Sequence, residues 1–228
     1  MITTVLFDLD DTLLDFKRAE AQALRKVLLQ FGITPTNEII QRYSVINQQQ
    51  WELLEQEVLT RDQLLHRRFD IFFAELGINQ SSHRAQALYE HLLAQEHDLI
   101  PGARCLLETL YRDYDLYLVS NGTAIVQTSR IRAAGIGHYF KGIFLSEQLG
   151  ADKPSHVFFD RCFHIISPKK RISSIIVGDS LTSDIQGGKN AGILTCWFHP
   201  PGRSTDAELQ PDYEITALSQ LPGLLGRL

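Results

Sequence analysis

The apolar run at Val5–Phe7 has the character of a buried strand, yet no partner strand follows it for about 100 residues. From Asp15 to His97 the pattern is helical instead. Phe16, Ala19, Ala23, Val27 and Phe31 recur at helical spacing until Gly32 stops them. Further helices are predicted over Asn37–Val58, Arg61–Leu76 and Ser82–Gln95, with Gly77 and the stretch "NQSS" between them. Only from Pro101 onward do strand and helix alternate. "YDLYLVSNG", "KGIFLSEQLG", "ISSIIVGDS" and "ILTCWF" read as strands, with a weak last one at Tyr213–Ile215. Helices are predicted between them, at Gly102–Tyr111, Ile125–Ala134, His156–Phe163 and Asp184–Ala191. Such alternation implies an α/β fold with a doubly wound parallel sheet. The economical division is a core of residues 1–14 and 98–228, with a helical domain, 15–97, inserted after the first strand.

The first strand runs straight into Asp8, Asp10 and Asp11. Like charges this close repel, so they must face water or meet a compensating charge. The other strands also stop on polar residues: Ser120-Asn121-Gly122 after "LYLV", and Asp179-Ser180 after "IIVG", with Asp184 five residues beyond Asp179. Lys153-Pro154 follows "FLSEQLGA". In open parallel sheets the ligand site lies beyond the carboxyl ends of the strands, so these residues are expected to converge on one crevice. Clustered carboxylates suit a hard divalent cation such as Mg²⁺, while a lysine, a hydroxyl and turn N–H groups suit a phosphoryl group. Each piece alone has an ordinary reading, since Asp at a strand end commonly caps a turn and Ser-Asn-Gly is a common turn. An EF-hand fails because Leu13 stands where its glycine belongs and Ala19 where its bidentate glutamate belongs.

Order and spacing together carry more. The segments "DLDDT" (8–12), "SNG" (120–122), "KP" (153–154) and "GDSLTSD" (178–184) resemble the four motifs of the haloacid dehalogenase-like hydrolase superfamily. The resemblance implies a Rossmann-like core with a helical cap. It implies Asp8 as a nucleophile that becomes an aspartyl-phosphate, and Asp10 as acid and then base. Thr12, Ser120, Asn121 and Lys153 would hold the phosphoryl group. Asp8, the backbone carbonyl of Asp10, and Asp179 would bind Mg²⁺, with Asp184 in support. Asp10 argues against dehalogenation, whose halide leaving group needs no proton. Asp11 stands where many relatives carry glycine.

The segment "GDSLTSDIQGGKNAGILTCWFHP" resembles the bacterial pyrimidine 5′-nucleotidases, which implies a nucleoside monophosphate substrate. Alternatives are a broad sugar-phosphate phosphatase, an N-acylneuraminate-9-phosphatase-like enzyme, or a non-enzymatic, phosphate-responsive binding module. Trp51, Phe69, Phe72 and Phe73 could stack on a base, although aromatics at this spacing more often form a core.

Composition bounds the setting. In 228 residues, 44% hydrophobic, 21% charged and with a formal charge of −5, nothing resembles a nucleic-acid footprint, and Lys169-Lys170-Arg171 reads as a solvated turn. Three cysteines without CxxC spacing point to a reducing compartment. No apolar run is long enough to span a membrane, so no membrane association and a cytoplasmic location are expected. The eight histidines form no recognised ligand spacing.

Overall fold

Alternate residues of the opening strand bury against opposite faces of a sheet, and both faces are covered. The computed structural model describes residues 1–199 and 209–228. Its strands are β1 (Thr4–Phe7), β2 (Asp115–Ser120), β3 (Gly142–Leu145), β4 (Ser174–Gly178), β5 (Leu194–Phe198) and β6 (Tyr213–Ile215). They form one parallel sheet in the order β3-β2-β1-β4-β5-β6. β1 lies between two partners from far along the chain, Thr4 pairing with Asp115 on one side and Ser174 on the other. The chain order reverses at β1, with β2 and β4 diverging from it, so the carboxyl ends of these three strands frame the switch point where α/β sheets bind ligands.

Two compact units are present, Phe16–His97 and the discontinuous pair Met1–Asp15 with Asp98–Leu228. In the first, four helices pack together: α1 (Phe16–Gln30), α2 (Asn37–Glu55), α3 (Arg61–Glu75) and α4 (Ser82–Leu93). Thr36, Thr60 and Ser81 cap α2, α3 and α4, each accepting a backbone N–H three residues on. Phe69 and Phe72 are fully buried and Phe73 nearly so, in a cluster with Tyr43 and Tyr89. These three phenylalanines are core, and they are not offered to a base. Trp51 is half-buried beneath Arg61.

In the second unit the two chain crossings run side by side: Leu14 bridges Leu99, Asp15 N–H donates to Asp98 O, and Ile100 N–H donates to Leu13 O. Beyond them come α5 (Ala103–Leu110), α6 (Ala124–Ala134), the short α7 (Ser146–Leu149), α8 (His156–Ile166), α9 (Gln186–Ala191) and α10 (Leu221–Leu225). Val5, Phe7, Leu116, Leu118, Ile175 and Val177 pack on one face with α5, α6 and α10. Leu6, Tyr117, Val119 and Ile176 pack on the other with α8 and the end of α9. The doubly wound expectation therefore holds, and continuous apolar strands follow from burial on both faces. At Gly188 a Cβ would stand 2.5 Å from Thr195 and 2.6 Å from Ile176, so α9 lies against the sheet only because that position has no side chain. No helix among the described residues is long and apolar enough to cross a membrane.

Candidate active site

Asp8 follows β1 directly, its N–H donating to Val177 O of β4 at 2.9 Å. The strand thus continues one residue past its last apolar side chain and carries a carboxylate into the interior, 7% exposed. The loop beyond is pinned by Leu9, Leu13 and Leu14, all fully buried, with the N–H groups of Leu13 and Leu14 both donating to Leu9 O. The turn needs a left-handed residue at position 11. Asp11 takes φ 56°, and aspartate is among the few residues besides glycine that visit this region readily. Thr12 is fully buried, and its hydroxyl has no partner among the described residues.

Lys153 is the hinge of the site's electrostatics. It is 2% exposed, and its Nζ donates to Asp8 Oδ1 at 2.7 Å and to Asp184 Oδ1 at 2.6 Å. Burial alone would lower its pKa, but Asp184 and Asp8 outweigh that and hold it above the ordinary lysine value. Asp8 itself is pushed up to about 8, chiefly by burial. Lys153 pulls the other way, while Asp184 and Asp10 add to the rise. One lysine thus serves two buried carboxylates, so Asp8 holds a proton near neutrality unless a further cation joins the site.

Asp184 is wholly buried, and its Oδ2 accepts from Ser180 N–H at 3.1 Å. It reaches the site from a π-helical turn, Leu181–Ile185, that precedes α9. Gly178 makes room for it, since a Cβ there would lie 2.2 Å from Asp184 Oδ2. Asp179, half-buried, accepts the Trp197 indole N–H at its backbone carbonyl, 2.8 Å. Asp8, Asp179 and Asp184 each offer a carboxylate oxygen, all within 4.8 Å of one another. An all-oxygen set of this size, with three carboxylates and one lysine, fits Mg²⁺. Asp184, expected at the metal in support of Asp8 and Asp179, is among the three clustered carboxylates.

The remaining expected residues take distinct places. Ser120 is 1% exposed, and its Oγ accepts from Gly122 N–H at 3.1 Å and Gln127 Nε2 at 2.8 Å. Asn121 spends its side chain on Lys153: its Nδ2 donates to Lys153 O at 2.8 Å and its Oδ1 accepts from Lys153 N–H at 2.9 Å. Its side chain therefore braces the lysine rather than standing spare for a phosphoryl oxygen. The Lys153–Pro154 peptide is cis. Asp10 is held by two donors from α6, Arg130 Nη1 on Oδ1 at 2.5 Å and Gln127 Nε2 on Oδ2 at 2.6 Å. Neither Gln127 nor Arg130 was singled out by sequence. The signal was there: both interrupt the buried stripe that Ile131 and Ala134 continue at helical spacing.

Known proteins match this chain over most of its length. The model of the haloacid dehalogenase-like hydrolases matches residues 5–198. The HAD-hydrolase YfnB of Bacillus subtilis is 39% identical, covering 97% of this chain and 94% of its own. Its crystal structure bound to magnesium superposes with a TM-score of 0.93, covering 98% of both chains. The pyrimidine 5′-nucleotidase PynA of Streptococcus pneumoniae is 37% identical, covering 95% of this chain and 92% of its own. The pyrimidine 5′-nucleotidase YjjG of Escherichia coli is 28% identical, covering 97% and 96%. With this fold, these strand-end residues and these relatives, the chain belongs to the haloacid dehalogenase-like hydrolase family.

Proposed function

We propose that the protein is a Mg²⁺-dependent phosphomonoesterase that works through an aspartyl-phosphate on Asp8, with pyrimidine nucleoside 5′-monophosphates as substrates. The observation that carries the reading is the buried pair of Asp8 and Lys153, with a second carboxylate, Asp10, held two residues away by Arg130 and Gln127. Asp8 Oδ attacks phosphorus while the ester oxygen departs and takes a proton from Asp10. Asp10 then removes a proton from water, whose oxygen attacks phosphorus and breaks its bond to Asp8 Oδ, releasing inorganic phosphate and the Asp8 carboxylate. Lys153, the Ser120 hydroxyl and the orphan Thr12 hydroxyl supply cation and donors for the phosphoryl oxygens. Asp8, Asp179, Asp184 and the Asp10 carbonyl would hold Mg²⁺. When bound, the ion supplies positive charge that lets an anionic carboxylate approach a phosphate dianion.

Several similar structures are haloacid dehalogenases, one from Pseudomonas syringae at 28% identity and a TM-score of 0.68. A halide leaves without a proton, so two donors holding Asp10 would serve nothing in that chemistry. For the substrate, the pyrimidine 5′-nucleotidase PynA is 37% identical over 95% of this chain, whereas sugar-phosphate phosphatases that cover 94% and 99% of it are 26% and 27% identical. The test is kcat/KM for dUMP, dTMP, AMP, a sugar phosphate and an aryl phosphate with Mg²⁺. Preference for dUMP and dTMP supports the reading. A flat profile favours the broad phosphatase, and release of phosphate from none of them overturns the enzyme.

We further propose that residues 16–97 act as the cap and carry the nucleotide preference. Replacing them with a Gly/Ser linker should leave a core that hydrolyses the aryl phosphate without favouring pyrimidines. Unchanged ratios would place selection in the core.

A further inference from the structure

We infer that Gln127 is a positioning residue that sets the hydrogen-bond polarity of the site, making Ser120 an obligate donor toward a phosphoryl oxygen while fixing the carboxylate of Asp10. The inference rests on the phosphatase reading above and adds a residue to it.

A serine hydroxyl has one proton to give and two lone pairs to receive with. Both lone pairs of Ser120 are taken, by Gln127 Nε2 and by the N–H of Gly122. Its proton therefore can only be donated outward, and at 1% exposure bulk water is no ready acceptor. None of Ser120's bonds to described residues uses that proton, so what it awaits is an acceptor brought by a ligand, such as an anionic oxygen.

The direction of this network is fixed from its far end. Arg130 can only donate, and its Nη1 serves Gln127 Oε1 at 3.1 Å as well as Asp10. That contact decides which end of the Gln127 amide is oxygen. The NH₂ end must then face Ser120 and Asp10, one proton to each, at 2.8 and 2.6 Å. A single amide so couples the hydroxyl assigned to the phosphoryl group with the carboxylate assigned to proton transfer. Gly122 is part of the device, because a Cβ there would fall 2.2 Å from Gln127 Nε2 and push the amide away.

The test uses the full-length protein with Mg²⁺ and the variants Gln127→Leu, Gln127→Glu and Gly122→Ala. The probes are an alkyl phosphate, an aryl phosphate and inorganic phosphate as competitive inhibitor. Gln127→Glu keeps the shape but offers only acceptors, so the Ser120 proton is drawn away from the ligand. Each variant should weaken inhibition by inorganic phosphate by about tenfold or more, the loss expected of one hydrogen bond to a charged group. Each should also lose more kcat on the alkyl than on the aryl ester, because Asp10 matters most for a poor leaving group. A change of fold stability alone would scale both esters together. Melting temperatures identify the folded variants, and Gly122→Ala reaches the network without deleting any of its atoms. A folded variant with wild-type phosphate inhibition and a wild-type alkyl-to-aryl ratio overturns the inference. Two controls separate the ideas: no phosphate release by the wild-type protein defeats the phosphatase reading and turnover by Asp8→Asn defeats its aspartyl-phosphate step, whereas an active wild type and a dead Asp8→Asn beside an unaffected Gln127→Leu defeat only this inference.

Discussion

Replacing Lys153 by methionine keeps the length of the side chain and removes its charge, a cation seated between Asp8 and Asp184. The side chains involved are 2%, 10% and 1% exposed, and the contacts are 2.7 and 2.6 Å. At an effective dielectric of about 20, each contact represents roughly 6 kcal/mol of gross attraction. Much of that offsets the cost of taking three charges out of water, and protonation of one aspartate limits the damage further. The net loss for breaking such a buried pair is about 3–5 kcal/mol. For a chain of this size each kcal/mol is worth about 2–4 °C, so the melting temperature at pH 7 should fall by roughly 6–20 °C. The assay is thermal unfolding by circular dichroism, in EDTA and again in excess Mg²⁺. The cation should recover part of the loss, since it brings positive charge to the same carboxylates. A variant melting within about 2 °C of the parent in EDTA, corresponding to at most about 1 kcal/mol, would refute the claim that Lys153 compensates this site.

Asp10→Asn should lower kcat by roughly 10²–10⁴ on alkyl esters and by less on aryl esters; an equal loss on both would remove Asp10 from proton transfer. EDTA should silence the enzyme, Mg²⁺ restore it and Ca²⁺ activate poorly, because the larger ion keeps a looser shell; full activity in a chelated preparation would reject the Asp8/Asp179/Asp184 metal site. Asp115 opens β2, and burial, which would raise its pKa, is outweighed by Lys141 and Lys170, which hold it below the ordinary 3.8. A lowered folded-state pKa contributes stability that is present above 3.8 and lost as pH falls through the folded value. The destabilisation of Asp115→Asn, read by melting temperature, should therefore be largest near neutrality and fade below about pH 4.

Much of this was legible because apolar patterning and strand ends are local signals. Tyr213–Ile215 is a strand as expected, and each helix predicted in residues 15–97 is present, shorter by one to three residues at its carboxyl end. What escaped was geometry that no periodicity carries. The π-helical turn at Leu181–Ile185 replaces the start of a helix expected from Asp184. Asn121 is placed at the site by its strand-end segment "SNG", and only the fold shows its side-chain amide closing on the Lys153 backbone. Gln127 and Arg130 sit on a helix whose register is ordinary, and their partner Asp10 is 117 and 120 residues away. Short α7 and α10 fall below the length at which a helical period can be read.

The central position of β1 also bears on how the chain is made. Its partners begin 111 and 170 residues later, at Asp115 and Ser174. At a synthesis rate of about 5–20 residues per second, an apolar β-forming segment waits roughly 9–34 s before both neighbours exist. The helical unit, whose helices contact one another within 82 residues of continuous chain, can fold in the meantime. Over that interval a segment like Val5–Phe7 would be prone to pair with the same segment of another nascent chain. Asp8, Asp10 and Asp11 follow it immediately, and like charges on facing strands repel. Neutralising the acidic loop should therefore lower soluble yield on expression as well as activity.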